Sequence, residues 1–319
     1  MAWRLLLCLA QYGPGGASSV IAQVRPLRPE YAAASLRHLW GVVLPGAGRP
    51  QAIAPSRRHY TGGRDQRTAG CDRPGTLARP LECANHLIPG SRLMTVLTRE
   101  ADATAGDDLA AVPGLHRCLQ PASQGTAPEV FLAALSVVQQ DPHAVVAMLP
   151  ADHLVEHGHR LMQYVARAAA AAMIRPDLPV LVGAYPGSRD PEYAWMEPGE
   201  PLDGLEAYAV RAVRRIVARP SAAERDAGLL GMLAVVVSAR TLIALGRRYL
   251  PDVLECLEPL EDVVGRPEET LLRDAVWESM PRASLCRDLL VRVEPLALVA
   301  MPDAMTGEWV RPEAQALAS

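Results

Sequence analysis

No stretch of this chain limits its possible folds more than Gln120–His153, QPASQGTAPEVFLAALSVVQQDPHAVVAMLPADH. It opens on a loop of small residues, Ser123 to Thr126, continues as a helix expected from about Ala127 to Gln139, and ends in an apolar strand, Ala144 to Leu149. A short strand without alternating polar residues reads as buried on both faces. It stops at Pro150, so Asp152 and His153 fall just beyond its carboxyl end. In open parallel sheets ligands occupy the crevice outside the carboxyl ends of the strands, which makes Asp152 a candidate metal ligand. The competing reading is an Asp that caps the next helix, expected over Gly158–Met173.

The same alternation of strand and helix runs through most of the chain. Strands are expected at Leu39–Leu44, Leu93–Leu97, Leu115–Leu119, Val180–Gly183 and Ala207–Arg215, with another in Gly228–Leu242. This pattern predicts an α/β fold, a Rossmann-like, mostly parallel sheet with helices on both faces. From Ala239 the sequence reads as mainly helical, with Thr241–Leu250 and Glu268–Met280 the clearest helices. We therefore divide the chain into an extension over residues 1–37, expected to be poorly ordered, an α/β domain over 38–240, and a smaller helical region over 241–319 that completes it. Residues Gln51–Pro80, rich in Arg, Gly and Pro, show no period, and loops of that length are usually functional or disordered.

With 319 residues, 50% hydrophobic and 21% charged, the chain can bury a large core. A net charge of −3 gives no electrostatic reason to expect a nucleic acid polymer or an anionic membrane as partner. No run approaches the ~20 apolar residues of a membrane span, and Leu5–Ala10 is shorter than the roughly 7–15 residues of a secretory core. Six cysteines without a Cys-x-x-Cys pair read as free thiols of a cytoplasmic protein. All 32 basic residues are arginine. Lysine chemistry is thereby excluded, and any phosphate must be met by planar guanidinium forks. His153, His157 and His159 read as incidental residues of a solvated loop rather than as a metal site.

Gln120-Pro121…Gly125-Thr126-Ala127-Pro128, followed at the right distance by Pro150-x-Asp152-His153, resembles the sugar-1-phosphate nucleotidyltransferases, most closely the mannose-1-phosphate guanylyltransferases. Further matches are Asp72-Arg73-Pro74, the Glu192–Gly199 segment EYAWMEPG, and the tail Thr306–Glu313. Leu39–Leu44 runs into Pro45, Gly46, Ala47, Gly48 and Arg49, where the family carries its glycine-rich triphosphate loop. The sequence departs from the family pattern at Pro45 and Ala47, at Gly75 for a phosphate-binding lysine, at Ala194 for glycine, at Ala218 for glutamate, and at Leu230-Gly231-Met232 for a Trp-Asn-Ser strand.

The resemblance implies transfer of a nucleoside monophosphate from an NTP, GTP by analogy, to a hexose 1-phosphate, mannose 1-phosphate by analogy. It assigns catalysis to Asp152, Arg49 and Arg73, and nucleotide binding to Gly46, Gly48, Gln120, Gly125 and Thr126. Sugar phosphate falls to Glu192, Tyr193, Glu197 and Arg219, and the cofactor is Mg²⁺ on Asp152 and Glu308. A homo-oligomer is left open. The departures favour a second expectation equally: a catalytically impaired relative that binds nucleotide or a partner enzyme.

Overall fold

The computed structural model describes residues 36–45, 77–151, 158–184, 194–217, 221 and 229–301. Nine strands stand among these residues: β1 (Leu39–Leu44), β2 (Leu93–Thr98), β3 (His116–Gln120), β4 (Val145–Pro150), β5 (Val180–Ala184), β6 (Trp195–Pro201), β7 (Val210–Val217), β8 (Leu230–Ser238) and β9 (Ala297–Met301). The helices are α1 (Ala78–Asn85), α2 (Arg99–Thr104), α3 (Gly106–Ala110), α4 (Thr126–Gln140), α5 (Gly158–Ile174), α6 (Ala239–Tyr249), α7 (Pro251–Leu257) and α8 (Glu269–Glu278).

The strands form one sheet in the order β3-β2-β1-β4-β8-β5-β9-β7-β6, and β6 also pairs with β8. The α/β architecture agrees with the sequence pattern. The expectation of a mostly parallel sheet is corrected. The β3-β2-β1-β4 half is parallel, but β8 runs antiparallel to both β4 and β5. Five of the nine pairings are antiparallel. The pairings β8–β5–β9–β7–β6–β8 close on themselves, so this half of the sheet curls into a barrel. An apolar run reveals that a strand is buried, not which way it points, so β8 is inserted against the parallel direction without any mark in its sequence.

Burial follows the pleat. Trp40, Val42 and Leu44 of β1 face one core with Met94, Val96, Val146 and Met148, covered by α4, α6, α7 and α8. Leu39 and Val43 face the other with Leu93, Leu97, Val145 and Leu149, covered by α1 and α5. Period-two alternation sends neighbours to opposite faces, and with helices on both sides both sets must be apolar. The only phenylalanine, Phe131 on α4, is fully buried in the first core.

Several segments differ locally from expectation. Arg99–Asp108, expected as a polar connection, forms α2 and most of α3, with the Thr98 hydroxyl accepting from Ala101 N–H at the α2 amino end. The WMEP segment, expected as a loop, is strand β6. The first residues of the strand expected from Ala207 instead form a 3₁₀ turn, Glu206–Tyr208, and Ala209 has a φ of +55° before β7 starts at Val210. Strand β9 lies within the region expected to be helical. It seats Ala297–Met301 between β5 and β7.

Candidate active site

The parallel half fixes where a ligand can sit. From β1 the chain moves outward to β2 and β3, then returns to place β4 on the other side of β1. The strand order therefore reverses between β1 and β4, and such a switch point opens a crevice at the carboxyl ends of the strands. Leu44 and Pro150 are register partners there, and Ala151 N–H donates to Leu44 O at 3.0 Å. Along the same rim, Thr98 ends β2 opposite Gln120, which ends β3. β3 and β4 are three strand spacings apart, about 14 Å, a span suited to an extended ligand. Gly46, Gly48, Arg49, Arg73, Asp152, Glu192, Tyr193, Arg219 and Glu308 lie outside the described residues. Gln120, Gly125, Thr126 and Glu197 lie inside them.

Gln120 is buried, and its Nε2 donates to Glu129 Oε1 at 2.9 Å. Ser123 Oγ donates to the same oxygen at 2.7 Å. Gln120 Oε1 has no hydrogen-bond partner among the described residues. Burial raises the Glu129 carboxyl above its ordinary pKa, and the bonds from Gln120 and Ser123 only partly oppose it. The sequence drew no attention to Glu129, which looks like an ordinary residue in the first turn of a helix.

Gly125 precedes α4 with φ +97° and ψ 171°, a region essentially confined to glycine. A Cβ at this position would stand 2.4 Å from Ala283 O. The glycine therefore serves a close approach between two stretches of main chain. Ala127 N–H donates to Ala283 O at 3.1 Å, Ala283 N–H to Gln124 O at 3.0 Å, and Leu285 N–H to Thr126 Oγ1 at 2.9 Å. Asp288 in turn accepts from Ser284 N–H at 2.7 Å and so closes the turn that carries these donors.

Glu197 lies on β6, in the barrel half of the sheet. Its Oε1 accepts from Arg214 at 2.8 Å and its Oε2 from Arg215 at 2.6 Å. Those two guanidiniums, Arg215 first, hold the carboxyl below its ordinary pKa. Next to it Trp195 is buried and paired with Gly231 of β8, which also pairs with Ala184 of β5. Cys83, Cys118, Cys256 and Cys286 are free thiols, and no group of three potential metal ligands occurs among the described residues.

No family model matches the chain. Mannose-1-phosphate guanylyltransferase of Escherichia coli is 22% identical over 192 residues, 57% of this chain and 41% of that protein. A structure described as mannose-1-phosphate geranyltransferase from Thermus thermophilus superposes with a TM-score of 0.64 at 23% identity, over 82% of this chain and 74% of that one. The resemblance to the sugar-1-phosphate nucleotidyltransferases thus extends from motifs to fold. A structure described as mannose-6-phosphate isomerase from Helicobacter pylori shares the fold at a TM-score of 0.59 and 14% identity, over 83% of this chain and 98% of that one. The chain's match takes in about two fifths of the length of the curated E. coli relative. Among the described residues no helix is long and apolar enough to cross a membrane.

Proposed function

We propose that this chain is a nucleotidyltransferase that moves a nucleoside monophosphate from GTP to mannose 1-phosphate. In this reaction an oxygen of the sugar phosphate attacks the α-phosphorus of the NTP, the bond to the β-phosphate breaks, and pyrophosphate leaves. The observation that carries the reading is that β3 ends at Gln120, where the Gln120–Pro128 motif starts, on the same carboxyl-end rim as β4, which ends at Pro150. The relatives whose names mention mannose 1-phosphate support it.

Within this reading Gln120, Gly125 and Thr126 border the nucleotide together with Gly46 and Gly48. Arg49 and Arg73 neutralise phosphate charge, and Glu192, Tyr193, Glu197 and Arg219 meet the sugar phosphate. Asp152 and Glu308 supply carboxylate oxygens, the hard donors that Mg²⁺ takes, and the ion when bound would stabilise charge on the transferring phosphoryl group. Positioning and charge neutralisation dominate such transfers, so this chain's residues act chiefly by binding and aligning two anionic partners. The test is pyrophosphate release by the purified protein from GTP, mannose 1-phosphate and Mg²⁺, with Asp152→Asn as the inactive control. Release that is absent, or equal in the two proteins, would rule the reading out.

One observation favours a second reading, a non-catalytic nucleotide-binding relative. Both oxygens of Glu197 are already engaged by Arg214 and Arg215, so a sugar hydroxyl would have to use the remaining lone pairs of a carboxylate whose charge and orientation two guanidiniums already hold. Titration of mannose 1-phosphate separates the two readings. Binding that weakens in Glu197→Ala by roughly 1–3 kcal/mol, as for a lost bond to a charged group, supports the enzyme. The absence of binding in both proteins supports the non-catalytic relative.

A further inference from the structure

We propose that Arg273 and Trp277 of α8, with the Arg282–Leu285 main chain, are positioning residues that hold the Leu119–Ala127 loop in its ligand-binding shape. The proposal rests on the nucleotide reading of that loop and adds to it a second group of residues, remote in sequence, that the motifs do not reveal.

Main-chain groups of a loop must find partners somewhere. The bonds this loop makes with itself and with α4 are few: Gln120 and Ser123 to Glu129, and a long 3.5 Å contact from Gly125 N–H to Ser123 Oγ. Three of its carbonyls are instead satisfied from a segment about 150 residues away in sequence. Leu119 O accepts from Arg273, Ala122 O accepts from Trp277 Nε1 at 2.7 Å, and Gln124 O accepts from Ala283 N–H. Ala127 N–H and Thr126 Oγ1 close the contact onto Ala283 and Leu285. Arg282 Nε also donates to Gln124 Oε1 at 3.2 Å.

Arg273 is the most informative member. The residue is only 8% exposed, its Nε has no partner among the described residues, and its remaining bond is to Glu269 one turn earlier. Burying a guanidinium with an unsatisfied donor is costly, and its pairing with Glu269 offsets only part of that cost. What an apolar residue cannot do is donate to the Leu119 carbonyl, immediately before the Gln120 that ends β3. Trp277, 4% exposed, combines core packing with one directed donor in the same way. Both residues make core positions specify the conformation of a rim loop. A loop fixed before the ligand arrives loses less entropy on binding.

The test uses the full chain in four forms: wild type, Trp277→Phe, Arg273→Met, and Arg292→Met. Trp277→Phe keeps an aromatic ring in the core and removes the donor, so it remains informative if Arg273→Met fails to fold. Arg292→Met is a control that removes a guanidinium-to-carbonyl bond to Tyr249 elsewhere. Amide hydrogen exchange should accelerate up to about tenfold over residues 122–127 in Trp277→Phe, the exchange equivalent of one hydrogen bond, and remain unchanged there in Arg292→Met. GTP affinity should fall in Trp277→Phe while mannose 1-phosphate affinity stays constant, a split that general destabilisation would not produce. Unchanged exchange in the loop overturns the proposal, as does unchanged GTP affinity despite faster exchange. If the wild type binds no GTP yet loop exchange rises in Trp277→Phe, the nucleotide reading fails and the positioning role stands.

Discussion

The Leu119–Ala127 loop and the β6–β7 hairpin carry the two halves of the proposed substrate pair, and they are held in place by different physics. The loop is fastened by main-chain groups, an indole and a buried guanidinium, all reaching it from beyond residue 270. The hairpin is fastened by strand pairing and by Glu197 between Arg214 and Arg215, whose side chains are 59% and 51% exposed. Buried hydrogen bonds are little screened by salt and expensive to leave unmade, whereas exposed ion pairs contribute little and are screened. The loop is therefore expected to be the rigid half of the site and the hairpin the adaptable one.

The contrast is broken most directly at Gly125. Gly125→Ala must adopt a glycine-only conformation and place a methyl 2.4 Å from a carbonyl oxygen. It is expected to lower unfolding stability by about 3 kcal/mol, measured by denaturant titration. A loss under about 1 kcal/mol would show that the loop and the Ala283 segment separate easily. Thr126→Val removes the acceptor for Leu285 N–H without changing side-chain size. The expected loss is about 1–2 kcal/mol, the effect of a part-buried donor left unpaired, and it should be the same at low and high salt.

Glu129→Gln sharpens the comparison through pH. The folded state raises the Glu129 carboxyl, so it binds the proton more tightly than the unfolded chain does. Stability is then fully present below the unfolded carboxylate pKa and is lost as pH rises through the folded value. Glutamine keeps an acceptor for Gln120 and Ser123 but has no proton to release. The variant's unfolding midpoint should gain on wild type as pH rises, and parallel pH profiles would contradict the assignment. The smallest effect is expected for Glu197→Gln, where the ion pairs are solvent-exposed. A slight drop in melting temperature at low ionic strength should vanish in molar salt, and a drop that persists there would mean that the hairpin is held like the loop.

Sequence alone was sufficient for the parts of the fold that rest on local pattern. The doubly buried strands β1, β2, β4 and β8 stand out as apolar runs, α4 and α5 are where their patterns place them, and Gln120 and Pro150 mark the rim because they end strands. Each of these depends on residues within a few positions of one another. What the tertiary structure alone decided is long-range: β8 antiparallel between β4 and β5, β9 drawn from an otherwise helical stretch, and Gly125 required by Ala283 as well as by its own backbone conformation. The same holds for Glu129 beneath Gln120 and for Arg273 and Trp277 reaching Leu119 and Ala122. Strand direction and hydrogen-bond partners over 150 positions away are properties of the packed chain. A donor in the sequence carries no mark of the acceptor that packing will bring to it.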